Sequence, residues 1–527
     1  MIYHCEDHTC NYWDEGEKLP ERCPQCGRKL LRANEADMTG DDWTALGNTL
    51  WDAEASDKKR MVDCFRKAAY LGSAWGVCNL GICMEQGNGV EADPVQAFWL
   101  YQQAVEMGSL NAVCCLGVCY QYGIGTAPDA EKAAELYCKA AEYGSPRGQM
   151  LLARAFHDGI GVEADAAEAV HWVRAAAYQR YGEGMHRLGL CYANGDGVEQ
   201  NWEHAVHWFR EAAESGVSVA MTDLGYCYEK GCGVEQSWEQ AFSWYRRGAE
   251  CGYPVSMSNL GLCYKRGYGV EQNWQEAVKW YEQGAQCGDL QSMNNLACCY
   301  EDGEGVEQNM TEAIRWYTAA AEGGNADAMQ SLGWHYDHGE GVEQDMKKAI
   351  CWYERAAEQN HPAAMNSLGE CYAMGRGVPR DLETAMEWYR RAAELGEAMA
   401  DYNMGWHLEQ AGKLSEAYAH YRKAADGNDD SAWWALGRFY ENGVVVAQDG
   451  KEARRCYETG EKLGSVKCKM RLARCKLLGI GGRRAKKAGL DLCRQALELA
   501  KESSEKEDYG YEAEMNLLRR TIAENES

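Results

Sequence analysis

Apolar residues along this chain fall into two helical stripes in every 36 residues. In Ser256-Met257-Ser258-Asn259-Leu260-Gly261-Leu262-Cys263-Tyr264 they keep the spacing of one helix face. Gly267-Tyr268-Gly269-Val270 follows, and glycines at i and i+2 end a helix and permit the positive φ of a tight turn. Asn273 then stands where a second helix would start. Its counterparts are Asp93, Asp129, Asp165, Asn201, Ser237, Asn309, Asp345 and Asp381. All are residue types whose side chains accept hydrogen bonds from the free N–H groups of a first helical turn. Pro94 occupies the favoured first helical position after Asp93. The second stripe reads Ala277-Val278-Lys279-Trp280-Tyr281, then the small pair Gly284-Ala285. Small residues let helices approach closely, and the Trp–Tyr pair is expected to be core between units. A glycine such as Gly252 or Gly288 closes each unit.

The phase holds without insertion. Leu80-Gly81 recurs as Leu116-Gly117, Leu152-Ala153, Leu188-Gly189, Leu224-Gly225, Leu260-Gly261, Leu296-Ala297, Leu332-Gly333, Leu368-Gly369 and Met404-Gly405. A fixed period of this length means stacked units, each burying its apolar face on its neighbours. Leu46-Gly47 extends the register upstream; Leu436-Gly437 and Leu472-Ala473 extend it downstream, past a loop shortened to Ala411-Gly412-Lys413. The prediction is an all-α protein, an α-α superhelix: a right-handed solenoid of about 13 helical hairpins over residues 38–503. Residues 1–37 form a separate N-terminal segment. Residues 504–527 supply a capping helix, with its amphipathic stretch from Tyr509 to Glu524, because a terminal unit must cover a bare apolar face.

Charge and cysteine usage narrow the reading. The formal net charge is −27. Binding nucleic acid needs clustered Lys and Arg, which leaves one candidate, the basic segment 467–487. Glu91, Glu163, Glu199, Glu235, Glu271, Glu307 and Glu343 share one loop position, read as a solvated acidic row. No leader-like stretch follows Met1 and no 18-residue apolar run occurs, so a cytoplasmic location is expected. Of 25 cysteines, seven share one repeat position: Cys83, Cys119, Cys191, Cys227, Cys263, Cys299 and Cys371. Equivalent positions in stacked hairpins lie roughly 10 Å apart, beyond bridging reach, so these are read as small buried thiols in reduced form.

The pattern LGxxYxxGxGVxxDxxxAxxWYxxAAExG resembles the Sel-1-like repeat family, relatives of tetratricopeptide repeats. Leu224-Gly225-Tyr226-Cys227-Tyr228, Gly231-Cys232-Gly233-Val234, Ala241, Trp244-Tyr245 and Ala249-Glu250 carry the match. The resemblance covers roughly residues 40–500. It implies an α-solenoid that acts as a scaffold or adaptor for protein complexes. Some secreted members pair cysteines eight positions apart and are associated with β-lactam binding or hydrolysis, the alternative function. That spacing is absent here: Cys251 and Cys287 meet Asn259 and Asn295 eight residues on.

Outside the array lies Cys5-x4-Cys10-x12-Cys23-Pro24-Gln25-Cys26-Gly27. Cys-Pro-x-Cys-Gly is a metal knuckle, and Cys5, Cys10, Cys23 and Cys26 make a tetrahedral four-thiolate set for structural zinc, with iron as the other metal. About 30 residues cannot build their own core, so the metal would supply folding energy. Residues 11–24 look like a rubredoxin-type zinc ribbon. His8 is the alternative to Cys10. Four protein ligands leave no open position for catalysis.

No GxSxG, GxxxxGK[ST] or HExxH motif occurs. The Gly-x-Gly-Val loops follow helices, not strands, and are turns, not dinucleotide fingerprints. A non-enzymatic binder is therefore expected. By resemblance to tetratricopeptide units, binding positions lie −2, +2 and +5 from each Leu, on one helix face. Amides run through the middle of this face (Asn294, Gln330, Asn366) and suit an extended peptide backbone. Trp334, Tyr402, Trp406, Trp434 and Arg438 follow, residue types that dominate interface hot spots. The expected partner is a peptide or protein held in a concave groove centred on residues 330–440.

Overall fold

The structure is a computed structural model that describes residues 2–5, 13–15, 30–33, 35–51, 55–506 and 512–526. The chain forms two compact units, residues 1–273 and 274–527.

The first unit opens with three short strands, β1 (Ile2–Cys5), β2 (Trp13–Glu15) and β3 (Leu30–Ala33). They form an antiparallel sheet in the order β2-β1-β3, with His4 opposite Trp13 and Cys5 opposite Leu30. Six helical hairpins follow. Their first helices are α1 (Gly40–Thr49), α3 (Ala74–Gln86), α5 (Leu110–Tyr122), α7 (Pro146–Asp158), α9 (Gly182–Asn194) and α11 (Ser218–Lys230). Their second helices are α2 (Ala55–Tyr70), α4 (Pro94–Glu106), α6 (Ala130–Glu142), α8 (Ala166–Tyr178), α10 (Trp202–Glu214) and α12 (Trp238–Glu250). Helix α13 (Pro254–Arg266) ends the unit.

The second unit begins with α14 (Trp274–Gln286). Its first helices are α15 (Leu290–Asp302), α17 (Ala326–His338), α19 (Pro362–Met374), α21 (Ala398–Gln410), α23 (Asp430–Asn442) and α25 (Val466–Leu478). Its second helices are α16 (Met310–Gly323), α18 (Met346–Glu358), α20 (Leu382–Glu394), α22 (Leu414–Asp426), α24 (Gly450–Lys462) and α26 (Lys486–Lys506). A single helix, α27 (Glu512–Glu526), lies after them.

The punctuation acts as the sequence requires. Asp93 accepts from Gln96 N–H at 2.9 Å, and Asn309 from Glu312 N–H at 3.2 Å. The two glycines of the turn have separate jobs. Gly267 takes φ +72° as the left-handed C-cap of α13. Gly269 is also left-handed, and a Cβ there would run into the Trp238 carbonyl at the start of α12, so the second glycine seats each loop on the preceding hairpin.

The core between hairpins is built from one contact. The glycine of the Leu-Gly pair faces an aromatic ring in the following helix, Phe65 for Gly47, Phe209 for Gly189 and a tyrosine in most other hairpins. A Cβ on Gly81 would lie 2.7 Å from Tyr101, on Gly225 2.6 Å from Tyr245, and on Gly333 2.6 Å from Tyr353. These tyrosines are almost wholly buried; of the neighbouring tryptophans Trp244 is buried, but the others fall short of the core expected of them. Trp316, Trp352 and Trp388 are half-buried. One residue turns a helix by about 100°, so when Tyr points inward Trp sits on the flank, where Arg315, Arg355 and Arg391 stack on it at 4.3, 4.3 and 4.4 Å. The seven in-phase cysteines are all buried. Burial raises the Cys83 and Cys371 thiols to about 11 and those of Cys119, Cys227 and Cys263 to about 12.

Candidate functional site

The predicted binding residues all lie on first helices of the second unit, and the structure sorts them into free and committed groups. On α15, Asn294 is buried, and its side-chain oxygen accepts no hydrogen bond among the described residues. Gln330 on α17 is half-buried. Trp334 stacks on His338 with centroids 4.4 Å apart. Trp406 on α21 keeps 38% of its surface exposed, with its ring edge-on to His407.

Asn366 on α19 is committed. Its amide donates to Glu370 Oε1 at 3.1 Å and accepts from Asn403 Nδ2 on α21 at 3.0 Å. Arg376, in the following turn, reaches Glu370 at 3.7 Å and the buried Asp337 at 2.8 Å. Desolvation outweighs these partners and raises the Glu370 carboxyl above its ordinary range. Tyr402 packs against Tyr421, and burial pushes its hydroxyl up to about 12. Arg438 donates to Glu409 at 3.0 Å and lies 4.6 Å over the Trp434 ring.

Trp434 leads to the end of the chain. Its indole N–H donates to Glu514 of α27 at 3.2 Å. Glu514 is buried and pairs with the Arg471 guanidinium, whose Nη2 donates to Oε1 at 2.7 Å while Nε lies 2.7 Å from Oε2. Arg471 and Arg474 also pair with Glu441. Arg484 hydrogen-bonds Leu477 O and Asn525. Arg471, Arg474 and Arg484 of the basic segment are therefore bound within the fold. Met515 and Leu518 of α27 bury beside Met470 and Ala473 of α25 and Ala496 and Leu497 of α26.

The +5 position turns out to be structural. Its carboxylate accepts the buried tyrosine hydroxyl of its own hairpin: Tyr101 on Glu85 at 2.6 Å, Tyr245 on Glu229 at 2.8 Å, Tyr317 on Glu301 at 2.6 Å, Tyr421 on Glu409 at 2.7 Å, Tyr457 on Glu441 at 2.8 Å. The signal was in the sequence. Where +5 is Ala193, the ring of the hairpin is Phe209, which has no hydroxyl to satisfy, although Ala373 goes with Tyr389, so the sign is readable only where +5 is Glu.

In the first unit, sequence reasoning passed over a cavity of about 700 Å³ between α7, α8 and α9. Its floor includes Met150, Val170 and Leu190; Arg154, His157 and Arg187 line its rim. Met150, Arg154 and His157 hold the −2, +2 and +5 positions about Leu152, so the same rule applied about Leu152 finds them. Among the described residues no group of three or more His, Cys, Asp or Glu is placed to hold a metal. Cys10, Cys23, Cys26 and His8 lie outside the described residues, and Cys5 is described only as the end of β1. No helix among the described residues is long and apolar enough to cross a membrane.

Comparison with known proteins agrees with the repeat. The chain is 29% identical to c5321, a protective antigen present in uropathogenic Escherichia coli strains and displaying an SLR fold; the match covers 81% of this chain and 94% of that one, with a TM-score of 0.56. A Sel1 repeat protein from Oxalobacter formigenes is 32% identical over 46% of this chain and 96% of its own, with a TM-score of 0.43. No curated protein matches. The Sel1 repeat matches eleven consecutive segments, residues 76–109, 112–145, 146–181, 182–217, 218–253, 254–289, 290–325, 326–361, 362–397, 398–429 and 432–465. Such arrays are typical of protein-interaction scaffolds, and this chain belongs to the Sel1 repeat family.

Proposed function

We propose that the protein is a non-enzymatic scaffold that binds a protein or peptide segment along the first-helix face of its second unit. The observation that carries this is α27. A helix of the chain itself already occupies the last positions of that face, anchored by one carboxylate on Trp434 and Arg471 and by an apolar stripe beside it. A face that accepts one amphipathic helix has the chemistry to accept another segment. The positions still open to a partner are Gln330, Trp334 and Trp406; Asn294 is buried, and Tyr402, Asn366, Trp434 and Arg438 hold the face in shape. Affinity capture followed by cross-linking mass spectrometry tests the reading. Cross-links are expected on α15, α17 and α21. Trp334→Ala with Trp406→Ala should cut capture at least about tenfold, with an unchanged circular dichroism spectrum. Undiminished capture, with cross-links on second helices, would overturn it.

The N-terminal segment is proposed to hold one structural zinc ion on Cys5, Cys10, Cys23 and Cys26. The strand register supports this. Cys5 ends β1 opposite Leu30, the first residue of β3, and His4 pairs with Trp13, the first residue of β2, so Cys5, Trp13 and Leu30 share one end of the sheet. Four thiolates suit zinc and leave it no open position. Metal analysis of the purified full chain should find one zinc ion, lost when Cys23 and Cys26 are both replaced by serine. Zinc retained in that variant, or iron in its place, defeats the assignment.

A further inference from the structure

In this register the side chain two before the Leu of one first helix meets the side chain one before the Leu of the next, 37 residues on. His186 Nε2 lies 2.6 Å from Asp223 Oδ2 by this rule, and Asn403 Nδ2 lies 3.0 Å from Asn366 Oδ1. Between α3 and α5 the same two positions hold Cys78 and Cys115. Both thiols are free and buried, and the register sets them against each other. They differ from the seven in-phase cysteines, which the repeat keeps apart.

The surroundings are those of a reactive pair. Arg147 places Nη1 3.6 Å from Cys115 Sγ and 2.7 Å from Asn111 Oδ1. Asn111 in turn sets Nδ2 3.9 Å from Cys78 Sγ. Pairing with Cys78, aided by the Arg147 charge and opposed by burial, holds the Cys115 thiol below its ordinary range; the same pairing, together with burial, pushes Cys78 up. Cys78 and Asn111 line a cavity of about 270 Å³ with Trp51, Trp75 and Asn79. That volume admits a small polar oxidant.

We propose that Cys78 and Cys115 are a redox site that hydrogen peroxide converts to a reversible disulfide joining α3 to α5. The Cys115 thiolate attacks one peroxide oxygen. The O–O bond breaks, hydroxide leaves and is protonated to water, and Cys115 becomes a sulfenic acid, its sulfur having lost two electrons to the peroxide. Cys78 then gives up its proton and its sulfur attacks the Cys115 sulfur. The S–O bond breaks, hydroxide leaves with that proton as a second water, and the S–S bond forms. A dithiol reductant reverses the change by exchange. Closing the bond brings the two sulfurs to about 2 Å, a shift within one pair of stacked hairpins.

The test uses the reduced full chain, titrated with hydrogen peroxide, alkylated under denaturing conditions and digested without reductant. A Cys78–Cys115 linked peptide should appear at peroxide doses that leave the exposed Cys251, Cys287 and Cys351 alkylated, and dithiothreitol should remove it. Cys78→Ser should trap the Cys115 sulfenic acid as a dimedone adduct. Arg147→Met should slow linkage roughly tenfold at neutral pH. If Cys78 and Cys115 are both recovered alkylated from the unsubstituted chain at doses that oxidise Cys251, the proposal fails, whatever the variants do.

Discussion

Gly225→Val is expected to cost at least about 3 kcal/mol of stability, read as a lower urea midpoint by tryptophan fluorescence. The reason is the contact that repeats through both units. A Cβ on Gly225 meets the Tyr245 ring 2.6 Å away, and valine adds two methyl groups behind it. Tyr245 cannot yield. Its ring is buried, and its hydroxyl is tied to Glu229, a bond that with burial raises the hydroxyl well above its ordinary range. Displacing the ring would leave a buried hydroxyl unsatisfied, at about 1–3 kcal/mol more. Because each hairpin is supported chiefly by its neighbours, the loss spreads to the adjacent hairpins. Gly252→Ala is the contrast. Gly252 has φ +83° and open space around it, so alanine there pays only the left-handed penalty of about 1–2 kcal/mol. Equal midpoints for the two variants would show that the glycine–tyrosine contact is not what fixes hairpin spacing.

Glu514→Ala should release α27. Glu514 and Arg471 keep 7% and 13% of their side-chain surface exposed, and removing one partner of a buried pair costs about 3–5 kcal/mol because the other charge is left uncompensated. Here the chain has an escape: α27 undocks and lets water reach Arg471. The expected result is loss of amide-exchange protection along α27 and on the facing side of α25, while α15 to α20 stay protected. Glu514→Gln keeps acceptor capacity and should lose less. Unchanged protection of α27 in Glu514→Ala would mean that its apolar stripe, Met515 and Leu518, holds it without the ion pair. The same variant frees the Trp434 N–H, so it also probes whether the face gains affinity for a partner when its own helix leaves.

The candidate site was legible in outline. Position arithmetic put Trp334, Trp406, Asn294 and Gln330 on one side of successive first helices, because helical geometry alone decides which residues share a face. It failed where a side chain's role depends on its neighbour. Asn366 looked like a free amide and is held by Asn403 and Glu370. Trp434 looked like a hot spot and anchors α27. The +5 carboxylates looked like binding groups and satisfy buried tyrosines. A buried hydroxyl needs an acceptor, so a Tyr in one stripe opposite a Glu in the other was a readable sign of a structural pair.

The sequence by itself determined the unit: two helices, their caps, their glycine turns and the order of stacking. These depend on contacts within about 36 residues, repeated often enough that each copy corroborates the rest. Only the tertiary structure decided which of Trp and Tyr is core, where α27 lies, and that Cys78 meets Cys115. The last two join residues 37 to 80 positions apart, and a periodic pattern says what each unit is without saying which out-of-phase side chains its neighbours bring against it.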